Sequence, residues 1–299
     1  MEQTIINFFH KSLGTFKHGK SPPIFPGPQP ISIERKHFKA LKNEKYVVCE
    51  KTDGVRHSLI CTMFNGKKVC ALLNRALEVK PVNLNFPNNA CKGTVLDGEL
   101  VDGKLFMVYD AMMVSGESVT GENLIGRLEK SGQFISGIMK TKKDLLKIKL
   151  KNFFVTEDFE DFKNNYLPKL SYKTDGLVFT PIYEPIKIGT HETMFKWKPR
   201  DMNTIDFQLK DRETKWGLYI QDRGVLIFQS ELPKDDTNEW LKEDNILECQ
   251  YMVDDSIPWW KPVGIRTDKH HPNNRRTFYR TLVNIREDIQ IEEFIKLFI

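Results

Sequence analysis

Two hairpin signals, Asn65-Gly66 and Asp102-Gly103, each set between short apolar runs, constrain this chain more than any other feature. Both pairs tolerate the positive φ of a tight two-residue turn, so the flanking runs are expected as antiparallel strands. Thr94 to Val101 and Leu105 to Val108 form one such pair. Before residue 200, helical periodicity is confined to about Glu122 to Met139 and Phe159 to Leu167, which makes this part α+β. Beyond Asn203, Asp206 to Lys210, Trp216 to Gln221, Val225 to Gln229 and Leu247 to Met252 are short strands between polar turns, a spacing that suits a small barrel. From Asn274 to Ile299 the pattern turns helical, with Phe294, Leu297 and Phe298 as an apolar stripe on a last helix. With 299 residues, 40% of them hydrophobic, the chain is long enough for one large or two ordinary cores.

The chemistry concentrates in Glu50-Lys51-Thr52-Asp53-Gly54-Val55-Arg56, which follows the strand-like run Tyr46 to Cys49. A lysine amine attacks phosphorus or carbonyl centres when neighbouring cations and partial desolvation keep some of it unprotonated. Gly54 lets backbone approach a ligand closely, and Arg56 offers a rigid donor fork to a ribose or phosphate. Alone, the heptapeptide reads equally well as a solvated turn after a strand. Other segments tip the balance. Asp97-Gly98-Glu99 interrupts an apolar strand, from which Glu99 projects, and Asp175-Gly176 stands at the mouth of another, making Asp175 a second candidate for metal or ribose. In Phe195-Lys196-Trp197-Lys198-Pro199, strand alternation points Lys196 and Lys198 to one face, where paired ammonium groups suit a phosphate. Arg266-Thr267-Asp268-Lys269 sets two cations around a carboxylate, which suits a polyphosphate leaving group.

In this order, Lys51-x-Asp53-Gly54-x-Arg56, Asp97-Gly98-Glu99, Asp175-Gly176, Lys196-x-Lys198 and Arg266-x-Asp268-Lys269 resemble the covalent nucleotidyltransferase superfamily of DNA ligases, RNA ligases and mRNA capping enzymes. Phe25-Pro26-Gly27-Pro28-Gln29-Pro30-Ile31-Ser32, Lys196-Trp197-Lys198-Pro199 running on to Asn203-Thr204-Ile205-Asp206-Phe207, and Pro272-Asn273 after the last motif resemble the guanylyltransferase branch. The resemblance implies an ATP-grasp-like nucleotidyltransferase domain over residues 1–203, an OB-fold barrel over 204–285, and a last helix, 286–299, packing back on the first domain. It also places the proline-rich stretch from Ser21 to Pro30, a linker by composition, along the first domain.

The implied reaction has two steps: Lys51 takes GMP from GTP as a lysyl phosphoramidate, then passes it to the 5′-diphosphate end of RNA. A free lysine is neutral in only roughly one copy in a few thousand at pH 7, so Lys196 and Lys198 are expected to disfavour a third positive charge and to steady the α-phosphate. Glu99 and Asp175 are expected to hold Mg2+ or Mn2+ or the ribose, and Arg56 and Arg75 to contact the ribose. Tyr109, where relatives commonly carry phenylalanine, and Val178 fall where the guanine base is sandwiched. Arg266, Asp268 and Lys269 fall where the β- and γ-phosphates are gripped on domain closure. Without a His-Cys-x5-Arg loop, and with little chain before Lys51, RNA 5′-triphosphatase activity is assigned to a separate protein. The resemblance adds the C-terminal tail of RNA polymerase II as a candidate partner and, for a eukaryotic cellular enzyme, the nucleus as its place. An ATP-dependent polynucleotide ligase shares the motifs but needs elements that encircle a duplex; a non-enzymatic OB-fold RNA-binding protein leaves the lysine and carboxylates without purpose.

Composition agrees without deciding. A net charge of +5 from 45 basic and 40 acidic residues permits an anionic partner. Five cysteines without Cys-x-x-Cys spacing, and no charged-then-apolar leader, point to a reduced compartment and structural thiols. No apolar run spans a bilayer, so no membrane partner is expected. His270-His271 lack further ligands and are assigned no metal, and Trp259-Trp260 beside proline reads as a packed corner rather than an RNA-stacking pair.

Overall fold

In a computed structural model that describes all residues except 18, 21, 23, 24, 140–145, 255, 256 and 268, the chain opens with helix α1 (Glu2–Ser12). Its Ile5 and Phe9, one turn apart, are buried in a cluster with Phe25, Ile60, Leu73 and Val95. Helix α1 is absent from the expected elements, although Ile5 and Phe9 at i and i+4 carry the amphipathic spacing of a helix. Next come β1 (Gln29–Ser32), α2 (Phe38–Asn43), β2 (Tyr46–Thr52), β3 (Val55–Phe64), β4 (Lys67–Asn74), β5 (Val79–Pro81), β6 (Thr94–Val101), β7 (Leu105–Val114), β8 (Glu117–Ser118) and α3 (Leu124–Ser136). After them lie β9 (Lys147–Leu150), β10 (Phe154–Val155), the short α4 (Phe159–Asp161), β11 (Thr174–Pro181) and β12 (Thr190–Trp197). The chain divides into two compact units, the first comprising Met1–Ile31, Lys39–Lys196 and Leu297–Ile299, the second Ser32–Phe38 and Trp197–Lys296.

The first unit is built on two sheets. One runs β1-β12-β11-β2-β10; the other runs β5-β4-β3-β6-β7-β8, with β9 lying parallel to β7. Both hairpin signals form as expected, with positive φ at Asn65, Gly66, Asp102 and Gly103. One face of the second sheet buries Leu59, Leu96, Phe106 and Val108 with Phe134 of α3. That face is closed by Arg127, buried on α3, which donates to Asp110 at 2.7 and 3.1 Å and to the Glu122 carbonyl at 2.5 Å. Helix α3 is shorter than its expected span because the Asn123 side chain caps it, accepting from Gly126 N at 2.9 Å, and Gly137 ends it. The second expected helix is irregular: after α4 comes a single π turn, Phe162–Tyr166, then a 3₁₀ turn, Leu167–Lys169. The wide turn keeps Phe162 and Tyr166 packed on Phe154, at 5.1 and 4.8 Å, and Pro168, lacking an N–H, prevents regular continuation. Phe25 to Ser32 is no linker, since Phe25 packs on Phe9 and Gln29 begins a sheet strand.

The second unit carries β13 (Thr204–Arg212), β14 (Lys215–Asp222), β15 (Val225–Pro233), β16 (Ile246–Asp254), β17 (Ile257–Ile265), α5 (Arg275–Glu287) and α6 (Ile291–Phe298). Its sheet is an antiparallel meander in the order β15-β14-β13-β16-β17, and no ladder joins β15 to β17 among the described residues. Strand β17 corrects the packed-corner reading of Trp259-Trp260. Trp260 faces the core, 5.0 Å from Phe207, while Trp259 points to the exposed side, as strand alternation requires. Pro258 and Pro262 hid this strand, yet among the described residues β17 pairs with β16 alone, and an edge strand accommodates residues that lack an N–H. The helical region from Asn274 onward is two helices, broken where Asp288 adopts a left-handed conformation at φ 44, so the last helix begins at Ile291 and not at 286. No described helix is long and apolar enough to cross a membrane, and all five cysteines are free thiols.

Candidate active site

Alternation along β2 buries Val48, Glu50 and Thr52 on one side and sends Cys49 and Lys51 to the other. Lys51 remains about a quarter exposed, and its Nζ donates to both carboxylate oxygens of Asp175, at 2.7 and 3.0 Å. The contact exists because β11 is bulged at its start: Thr174 pairs with Thr52, the next registered pair is Leu177 with Glu50, and Gly176 between them takes φ 150. Val178 registers with Cys49 and so shares the face of Lys51. Gly54 is required by a close approach. A Cβ there would lie 2.7 Å from the Leu100 carbonyl oxygen and 3.0 Å from Glu99 Cγ, so the turn after Lys51 is pressed onto β6.

Glu99 stands opposite Arg56 across β3 and β6. Burial pushes its carboxyl up to about 7, against the opposing charges of Lys51, Lys151, Arg75 and Arg56. Arg56 is buried: its Nε donates to Asp97 at 3.1 Å, its Nη2 also bonds that carboxylate, and its Nη1 donates to the Pro28 carbonyl at 2.6 Å. Burial lowers and Asp97 raises its proton affinity, and the raising wins. Tyr109 donates its hydroxyl to Asp97 at 3.1 Å, while the Arg56 guanidinium lies 5.9 Å from its ring. Arg75 is exposed, and its guanidinium is held below the usual arginine range by desolvation first and then by Arg56. Thus Arg56, Arg75, Glu99 and Tyr109 form one charged cluster around Asp97, and Lys51 and Asp175 are a pair whose lysine is felt by Glu99.

Sequence reasoning quoted Asp97 without giving it a task. Its signal was the carboxylate two residues before Glu99, on the same strand face. A second omission is Lys151, buried, whose Nζ donates to the Glu50 carbonyl at 2.6 Å and lies 3.4 Å from the Glu50 carboxylate, which also accepts from Tyr172 at 2.8 Å. No motif flagged it.

Lys196 lies on β12, half-buried, with its neighbours Phe195 and Trp197 turned into apolar packing. The strand ends at Trp197, so Lys198 is one residue beyond the expected alternation, in the second unit. In that unit Arg266 Nη1 approaches Asp206 Oδ1 at 3.2 Å, Lys269 Nζ bonds Asp206 Oδ2, and Asn273 Nδ2 donates to the same oxygen at 3.3 Å. The carboxylate between these two cations is therefore the buried Asp206, which the sequence reading left without a role; Asp268 lies outside the described residues. Among the described residues no three His, Cys, Asp or Glu side chains converge as a preformed metal cage.

Residues 2–200 match the family model "mRNA capping enzyme, catalytic domain", and residues 202–295 match "mRNA capping enzyme, C-terminal domain". Among curated proteins, the chain is 29% identical to the mRNA-capping enzyme subunit alpha of Schizosaccharomyces pombe, covering 93% of this chain and 81% of that protein. It is 32% identical to the subunit of the same name in Neurospora crassa, covering 93% and 85%. A solved mycobacterial DNA ligase D complexed with ATP and MES aligns with a TM-score of 0.46 at 12% identity, over 82% of this chain and 96% of that one.

Proposed function

Because this chain belongs to the mRNA capping enzyme family, we infer that it is an mRNA guanylyltransferase working through Lys51. GTP is its nucleotide and RNA its acceptor. The observation that carries the assignment of Lys51 is the half-buried Lys51–Asp175 pair, placed by a strand bulge inside the catalytic-domain match. As an ammonium held by a carboxylate, Lys51 has no lone pair to donate. The pair must open and a proton must leave before Nζ forms its bond to the α-phosphorus of GTP and the bond to pyrophosphate breaks. In the second step a terminal oxygen of the RNA 5′-diphosphate attacks the same phosphorus, the P–N bond breaks, and its electron pair returns to Nζ, which takes up a proton. Lys196 and Lys198 are assigned to the α-phosphate, where fixed cations stabilise the charge that builds up in both transition states.

The donor set fits a magnesium or manganese ion. Glu99 and Asp175 are oxygen ligands, and a carboxyl pushed up to about 7 by burial is stabilised in its ionised form by a nearby dication. Such an ion, when bound, supplies charge neutralisation at the phosphates. Arg56 has part of its donor fork beyond Asp97 and Pro28 for the ribose, alongside Arg75. Tyr109 and Val178 are assigned to the two faces of guanine. Arg266, Asp268 and Lys269 are assigned to the β- and γ-phosphates, and Arg266 and Lys269 exchange the Asp206 carboxylate for them.

We assign a nucleotidyltransferase domain to residues 1–203 and an OB-type barrel to 204–285, which five antiparallel strands support, and count the segment 286–299, whose helix is α6, with the first domain. A separate protein is assigned the RNA 5′-triphosphatase step, the polymerase II tail a docking role, and the nucleus the site of action. The test is incubation with α-labelled GTP or ATP followed by denaturing electrophoresis. A covalent adduct from GTP, dependent on magnesium or manganese, is expected; an adduct from ATP alone would move the chain to the ligases.

A further inference from the structure

Strand β9 continues the site face of its sheet outward as a row of lysines. Registered neighbours in adjacent strands share a face. Arg56 pairs with Glu99, Glu99 with Met107, and Met107 with Lys149, so Lys149 stands in the same transverse row as the two candidate nucleotide-binding residues. Lys147 pairs with Leu105 and lies on that face too, whereas Ile148 and Leu150 turn the other way into the core. Lys151 extends the ladder by one residue, its N–H donating to the Val108 carbonyl at 2.8 Å, and its ammonium meets the Glu50 carbonyl beside the nucleophile. At a rise of ~3.3 Å per residue the three lysines follow one another at ~6.6 Å, a step comparable to that between backbone phosphates of an extended single strand.

Among the described residues, the outer two carry charge that no acid of the protein offsets. Lys147 and Lys149 are exposed, and neither has a carboxylate partner among the described residues, whereas Lys210, Arg212, Lys215 and Lys234 of the second unit are all paired with acids. The positive excess of the chain also lies wholly in the first unit, with 27 Lys and Arg against 20 Asp and Glu, compared with 18 against 20 in the second. Lysines on an edge strand also deter edge-to-edge pairing. That role does not require them to share the face of Glu99 or to run toward the nucleophile.

We propose that Lys147 and Lys149 bind the first backbone phosphates of the acceptor RNA, leading its diphosphate end to the guanylylated Lys51. This rests on the guanylyltransferase reading, and the test separates the two. The variant is Lys147→Gln with Lys149→Gln, which removes charge and keeps polarity on an exposed strand. Adduct formation from GTP should match the wild type. Transfer from the isolated adduct to a 5′-diphosphate RNA oligonucleotide should need ~10-fold more RNA for half-maximal rate, and the log–log salt dependence of that concentration should flatten by ~1.4, two single-strand phosphate contacts at ~0.7 each. Transfer to a nucleoside 5′-diphosphate, which has no downstream phosphates, should be unchanged. Failure of the wild type to form an adduct would remove the guanylyltransferase reading itself. With that adduct intact, the RNA proposal is overturned by an unchanged oligonucleotide requirement, by equal losses with both acceptors, or by loss of adduct formation in the variant. Unchanged RNA transfer with lost binding of an acidic phosphopeptide would likewise overturn it and give the row to a protein partner.

Discussion

Replacing Glu99 with Gln should make the protein more stable at neutral pH while impairing it as an enzyme. The ordinary carboxyl of glutamate titrates at 4.5, and burial lifts that of Glu99 to about 7. Below pH 4.5 both folded and unfolded chains hold the proton, and Glu99 contributes no pH dependence. Between 4.5 and 7 the unfolded chain releases its proton first, so stability falls as pH rises; above 7 both states are ionised and the penalty is constant. At 1.36 kcal/mol per pH unit the full penalty is on the order of 3 kcal/mol. Glutamine has the same shape and no charge to desolvate. Its thermal midpoint relative to wild type should therefore be unchanged at pH 4 and rise by about 6–12 °C at pH 8, taking 2–4 °C per kcal/mol for a domain of this size. The assay is thermal unfolding of both proteins across that range without divalent metal, reading only their difference so that other titrations cancel. Adduct formation by the variant should be strongly reduced at every pH. A difference that is flat with pH, or a variant less stable at pH 8, would refute the claim that Glu99 is held at the site against its own desolvation.

Two further outcomes follow from the ion pairs. Arg127→Ala leaves Asp110 buried without its partner and should destabilise the first unit by about 3–5 kcal/mol in urea unfolding, and a loss under about 1 kcal/mol would show that Asp110 finds other partners or water. Arg266→Ala should slow lysyl-GMP formation from GTP far more than GMP transfer from isolated adduct to diphosphate-ended RNA, because the second step has no pyrophosphate to orient; single-turnover rates of both halves check this, and equal losses would make Arg266 an RNA contact or a structural partner of Asp206.

The parts of the fold that were legible in the sequence depend on local chemistry. Asn65-Gly66 and Asp102-Gly103 dictate their turns through φ alone, and the short strands of the second unit sit between polar turns, so both appear where expected. Strand β17 was hidden because two prolines argue locally against a strand, and only its edge position, a tertiary property, permits them. The π turn at Phe162–Tyr166 is likewise set by aromatic packing rather than by helical period. For the candidate site, the motifs named the residues but not their partners. Lys51 with Asp175 depends on a bulge, and Arg266 and Lys269 share Asp206 across some sixty residues of chain, which no spacing rule reaches. Lys151 was missed because a buried lysine in an alternating strand looks like any solvated one until the strand is paired.

Locating the adduct tests the role of Lys51 most directly. The protein is incubated with GTP and divalent metal, denatured and digested, and the GMP-bearing peptide is sequenced by mass spectrometry, with Lys51→Met and Lys51→Arg treated in parallel. GMP is expected on the Lys51 side chain and lost in both variants, since methionine has no amine and a guanidinium stays protonated. GMP on any other residue, or labelling that survives Lys51→Met in a folded protein, would contradict that role.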